Sequence, residues 1–332
     1  MKTTDETVKI SGNKTLGFKM PELLHVSPAP HIRRLDTIRS IMLDVIIALL
    51  PAIAWSVYIF GVRALYLILV SCVCSVFSEL IYQLIAKKTV RISDLSAAVT
   101  GIMLGLMMPS GASLWVPAVG SVFEIIVVKQ FFGGIGNNIV NPAIAARVFL
   151  MLCWPQQMVS YVDDAGKLVS SATPLVELKA KSAPLDDIFE MVIGNVNGAL
   201  GEVSAIAICA GFIYLLFRKV VSWHIPVAFI GSFVLISIIF PVTGEPSATF
   251  YQVFSGGLLF SALFSANDYS TTPITGTGKI IFGIGCGLIT IFIRYFGAYP
   301  DGTAFAILIM NMLVPIIDFW TRPSGFGQRK KV

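Results

Sequence analysis

Between residues 40 and 60 the chain reads SIMLDVIIALLPAIAWSVYIF, twenty-one residues with one charge, Asp44. About twenty apolar residues in helical form cross the hydrocarbon core of a bilayer. A helix is one of only two ways a backbone can do so with its polar groups paired. Further apolar runs follow, and the pattern predicts ten spans: 40–60, 64–86, 94–109, 113–131, 140–158, 199–217, 224–241, 250–266, 279–297 and 302–320. Only 13% of residues are charged, roughly half the share in a soluble domain. The expected fold class is an all-α polytopic membrane protein with some broken or short helices. The third and eighth spans are short, and Gly-rich loops follow the fourth (GGIGNN) and the eighth (NDYSTTPITGTG), as in folds whose interrupted helices line a central site. The polar, basic N-terminus has no apolar core of a signal peptide, so none is expected.

Orientation follows from the 24 lysines and arginines. With the N-terminus inside, 18 fall on inside segments and five (Arg63, Lys167, Lys179, Lys181 and Arg294) outside, while Arg147 lies within a span. Positive charge collects on the cytoplasmic side, so both termini are expected in the cytoplasm. The predicted organisation is a cytoplasmic segment 1–39, a first five-helix half 40–158, an extracytoplasmic loop 159–198, a second half 199–320 and a basic cytoplasmic tail 321–332. An internal echo relates FFGGIGNNIVNPAIA (131–145) to YFGAYPDGTAFAILI (295–309) at matching points of the two halves. Five spans per half would make the copies inverted.

Several function classes are excluded. The five cysteines (Cys72, Cys74, Cys153, Cys209, Cys286) all lie in apolar segments and form no C-x-x-C pair, which argues against metal or iron–sulfur ligation by this chain. The net charge of +5 is accounted for by its sidedness and implies no nucleic-acid partner. The surrounding lipid is the expected bulk environment.

The loop 159–198 is a polar island, with LVSSATPLVELK at 168–179. Thr173 before Pro174 suits an N-cap with Pro at N1 of a short helix. A phosphate esterified to the same hydroxyl would face free N–H groups at that N-terminus. Capping and covalent modification share one local geometry.

The run Ser170, Ser171, Ala172, Thr173 resembles the [ST]-[GS]-A-T flavinylation motif of the Rnf and sodium-pumping NADH:quinone oxidoreductase complexes. DLSAAVTGIMLGLMMP (94–109), KQFFGGIGNNIVNPA (129–143), SANDYSTTPITGTGK (265–279) and YPDGTAFAILIMNMLVPIID (299–318) are similar to the D subunit of Rnf, and the resemblance covers essentially everything after residue 35. Ser171 stands where many members have Gly. The resemblance implies FMN esterified through its phosphate to Thr173 by a flavin transferase. It also implies passage of electrons between ferredoxin and NAD with the A, B, C, E and G subunits of that complex, coupled to Na⁺ or H⁺ movement across the inner membrane. It further implies a second flavin, riboflavin, at Asn138 and Asn141, by likeness to the homologous B subunit of the quinone reductase. The same two asparagines in NNIVNPA also suit a turn and helix cap.

Acids inside apolar spans are costly there and hence functional candidates. They are Asp44, Glu79, Glu124 and Asp318, with Asp94 and Asp268 at the ends of short spans. Asp268, followed by hydroxyl-rich TTPITGTG, is the favoured ion-coupling residue, with hydroxyls and carbonyls expected to join it around a cation. No catalytic residue and no metal site is expected. The rival readings are a stand-alone channel or solute carrier of the same architecture, the quinone-reductase B subunit, and an inert membrane anchor.

Overall fold

The computed structural model describes residues 37–162, 168–169, 192–193, 198–202, 204–241, 248–299 and 301–323. Each predicted span contains helix. The helices are α1 Ile38–Phe60, α2 Val62–Ile85, α3 Ser96–Leu106, α4 Trp115–Val122, α5 Pro142–Cys153, α6 Ala205–Phe217, α7 His224–Ile239, α8 Ala248–Phe254, α9 Leu258–Leu263, α10 Gly276–Phe296 and α11 Thr303–Thr321. Two-residue strands Tyr161–Val162 (β1) and Leu168–Val169 (β2) pair antiparallel. By length and composition α1, α2, α10 and α11 can each cross a membrane. The chain is an all-α polytopic membrane protein.

Apolar side chains point both ways, as a lipid solvent requires. Leu49, Leu67, Leu104 and Phe229 are buried, whereas Tyr58, Phe77, Phe217 and Phe319 are exposed on the outer surface. Close packing comes from small residues. A Cβ on Gly211 of α6 would collide with the Ala48 carbonyl oxygen of α1, and one on Gly105 of α3 would lie 2.9 Å from the Ile68 Cα of α2. In the first half α4 packs on α2 and α3 on α1; in the second α10 packs on α7 and α9 on α6. The two sets meet where α1 packs on α6 and α5 on α11.

The spans depart from simple rods at identifiable places. The eighth is broken between α8 and α9, where Gly256 and Gly257 adopt φ of 72° and 64°, a left-handed conformation that costs glycine little. The third leaves the helix after Leu106. Met108 then accepts a hydrogen bond from Leu200 N–H at 2.9 Å, and Pro109 bridges to Ala199. The α-helix of the fifth span runs from Pro142 to Cys153, and that of the sixth starts at Ala205, capped by Ser204. α4 runs on as a π-helix over Phe123–Gln130. These breaks leave backbone groups inside the bundle, satisfied by protein rather than by lipid.

Candidate functional site

Polar clusters interrupt the apolar interior among the described residues, and three of them hold candidate site residues. The first gathers around Lys129, which is 2% exposed. Its ammonium donates to Glu79 Oε2 at 3.1 Å and to Ser96 Oγ at 2.6 Å, and Gln130 Nε2 donates to Glu79 Oε1 at 2.6 Å. Asp94, just before α3, accepts from Ser96 N–H and Oγ–H. The Lys129 charge also reaches Asp268. Asp268 itself accepts from Ser270 Oγ at 2.9 Å, from Ser270 N–H and from Thr271 Oγ1 at 3.3 Å. The hydroxyls after Asp268 therefore serve as donors to its carboxylate, where the sequence suggested ligands turned toward a cation. Among the described residues no group of three or more His, Cys, Asp or Glu side chains could hold a metal ion.

Beside this cluster, Asn141 caps α5. Its Oδ1 accepts from Ala143 N–H and Ile144 N–H, and its Nδ2 donates to the Ser265 carbonyl at 2.9 Å. Asn311, with its amide turned to suit both neighbours, donates to Thr271 O and accepts from Asn141 N–H. Asn141 is thus fully engaged in tying α5 to the end of α9. Asn138 differs: its Oδ1 is buried and has no partner.

The second cluster lies at the breaks of the third and eighth spans. Arg147 donates to Glu202 at 3.1 Å and to Asp301 at 3.0 Å. Arg294 stands 3.7 Å from Asp301 and donates to the carbonyls of Gln252, Ser255 and Gly256. Two arginines thus balance two acids, and Arg294 satisfies carbonyls freed by the α8–α9 break. Arg147 and Asp301 also line a cleft with Met107, Met151, Tyr161 and Tyr299. Burial, reinforced by Glu202, pushes the Tyr161 phenol above its ordinary range, so it stays a neutral hydroxyl. Arg147 Nε has no partner. Tyr161, near the start of the loop 159–198, and Ala199, just after its end, both line the cleft. Ser170, Ser171, Ala172 and Thr173 lie outside the described residues.

The third cluster is small. Glu124, 0% exposed on the π-helix, touches Ser75 Oγ at 2.6 Å, next to Ser71 and Ser121. The remaining predicted acids are separate. Asp44 is held by Arg218 at 2.9 Å and by Tyr214 at 2.9 Å, and Asp318 accepts from Ile274 N–H. The sequence reading missed Glu202 and Asp301 as partners of Arg147. It also treated Lys129 and Arg294 as loop charges, whereas the structure buries both against carboxylates. An arginine inside an apolar span, as at Arg147, was the signal that a buried acid had to exist.

A model of the NQR2, RnfD, RnfE family matches residues 25–327. The chain belongs to that family. Among its relatives is the D subunit of the Na⁺-translocating ferredoxin:NAD⁺ oxidoreductase complex of Acetobacterium woodii, 41% identical over 92% of this chain and 96% of that one. The D subunit of the proton-translocating ferredoxin:NAD⁺ oxidoreductase complex of Clostridium ljungdahlii is 35% identical over 92% of this chain and 96% of the relative. The D subunit of the ion-translocating oxidoreductase complex of Stutzerimonas stutzeri is 34% identical over 89% and 94%. Family membership accounts for the resemblance of the SAND and YPDGTAF segments, and both segments contribute to the clusters above, through Asp268 and Asp301.

Proposed function

We propose that this chain is the D-type membrane subunit of an ion-translocating ferredoxin:NAD oxidoreductase, and that it carries FMN esterified to Thr173. The observation that carries the subunit assignment is the end-to-end similarity to relatives of that name, at 41% identity over 92% of the chain. It favours this reading over a stand-alone carrier or an anchor. The coverage of 96% of that relative also favours a D-type over a B-type subunit. The chain works with the A, B, C, E and G subunits, and through them with ferredoxin and NAD. It resides in the inner membrane with both termini cytoplasmic.

The cleft supports the cofactor. An isoalloxazine needs an apolar slot with a few fixed polar groups, and a flavin, when bound, supplies electron chemistry that no side chain here provides. Met107, Met151 and Met158 with Pro109 and Pro155 offer apolar walls. Arg147, steadied by Glu202 and Asp301, offers a cation with an unused N–H, and the Tyr161 hydroxyl stays neutral. These residues would hold the ring and keep water away, while the phosphate, a singly charged diester once joined to Thr173, would stay tethered in the aqueous loop, where its charge incurs no burial cost. Asn138, with its free Oδ1, supports a riboflavin near the opposite cluster.

The test is direct. Denatured wild-type protein should fluoresce as a flavoprotein band on a gel, and its intact mass should exceed the sequence mass by one esterified FMN. Thr173→Ala should lose both while still inserting, because loss of a helix cap of the kind the sequence suggests there costs only about 0.5–2 kcal/mol. Ser171→Ala should retain most of the flavin. A wild-type chain without covalent flavin would refute the cofactor assignment.

A further inference from the structure

From the geometry around Glu124 we infer that this residue is an intramembrane proton-binding site: it holds its proton as a neutral carboxylic acid, with Ser75 as the acceptor. The hydrogens in the cluster can be counted. Ser75 Oγ lies 2.8 Å from the Ser71 carbonyl and 2.6 Å from Glu124 Oε1. A serine hydroxyl has one hydrogen, and a carbonyl can only accept, so Ser75 must donate to Ser71. The shorter contact then needs a hydrogen from Glu124. Were Glu124 a carboxylate, one of the two contacts would press lone pairs together with nothing between them.

The neighbours agree with this count. Ser121 Oγ–H goes to the Ser71 carbonyl at 2.9 Å, and Ser71 Oγ–H goes to Ser121 Oγ at 3.1 Å. With a proton on Glu124, every hydroxyl in the group donates once. The second carboxyl oxygen, Oε2, is buried and has no partner, which is tolerable for a neutral carbonyl and costly for half of a carboxylate.

Among the described residues no cation forms an ion pair with Glu124. Lys129, on the same π-helix, is the cation whose field reaches Glu124, but its ammonium hydrogen-bonds to Glu79 and Ser96, and on α2 the titratable neighbour is Cys72. On α3 the nearest backbone is Gly101, where a Cβ would lie 2.5 Å from Ser75 Oγ, so no charged side chain fits. Binding balances simply: carboxylate plus one proton gives the acid, with no other group changed.

The inference deepens the proposed function and rests on it for the purpose of the proton, not for its presence. The experiment compares infrared spectra of the membrane-embedded complex at neutral pH. Wild type minus Glu124→Gln should show a protonated-carboxyl C=O band that downshifts in D₂O. Ser75→Ala should move that band to higher wavenumber by removing its acceptor, and it carries the test should the Gln variant fail to assemble. Adding Na⁺ at fixed pH should leave the band in place. Absence of the band, or its loss on adding Na⁺, would overturn the site. A band that persists in wild type while Glu124→Gln moves ions normally would uphold the bound proton and overturn its role in transport.

Discussion

Lys129 is 2% exposed, inside a bundle that the bilayer surrounds, and Glu79 answers its ammonium at 3.1 Å. Removing one member of a buried pair strands the other, at a cost of about 3–5 kcal/mol, whereas replacing both with apolar residues of similar size is often neutral. Lys129→Met should therefore lower the thermal stability of the purified subunit by about that amount. The double variant Lys129→Met with Glu79→Leu should recover much of it, as read by thermal aggregation in detergent. Equal loss in both variants would mean that the Gln130 and Ser96 bonds, not the charges, dominate. Single residues were unevenly legible in the sequence. The acids stood out because charge is rare in apolar runs. Their partners did not, because Glu79 meets residues about fifty positions away and Arg147 meets Asp301 from 154 positions away. Such pairs exist only once the helices pack, so local pattern carries no trace of them.

At the scale of elements, close approach depends on where a side chain is missing. Gly211 lets α6 lie against the Ala48 carbonyl of α1, while Gly231 on α7 faces open space. Gly211→Ala should wedge α1 from α6 and destabilise by about 1–3 kcal/mol. Gly231→Ala should be neutral or stabilising by up to about 1 kcal/mol, since alanine favours helix interiors. The two melting curves, measured side by side, separate packing from propensity; if both glycines tolerate alanine equally, α1 and α6 have room to part and their contact is not tight. The spans themselves were legible because about twenty apolar residues have few other fates. The breaks were legible in part, through Gly-rich GGIGNN and the short third and eighth spans. The π-helix was not. In an α-helix Glu124 and Lys129, five positions apart, would point about 140° from each other, and only the wider i→i+5 turn brings them toward one side of the element. No residue type encodes that extra width, which comes from how Phe123–Gln130 fits between its neighbours.

For the whole molecule the decisive question is which end faces the cytoplasm, because it settles on which side the Thr173 loop lies. The charge count gave 18 inside against five outside. The structure corrects it, since buried Lys129 and Arg294 cannot interact with lipid headgroups or the translocation machinery as loop charges do. Withdrawing one from each side leaves the asymmetry intact, and it still rests on exposed lysines such as Lys87 and Lys88. Only charges near span ends orient a helix, so these two weigh more than the total. A variant lacking Cys72, Cys74, Cys153, Cys209 and Cys286 should tolerate that loss, since none of the five needs a disulfide. Into it, a single cysteine at Asp164 or Lys181 should react with an impermeant thiol reagent added to intact cells. One at Lys87, in the short link between α2 and α3, should react only after the membrane is opened. The reverse pattern would invert the molecule. It would place Thr173 and the Arg147 cleft on the cytoplasmic face, and the flavin proposed on Thr173 would have to lie on that side too.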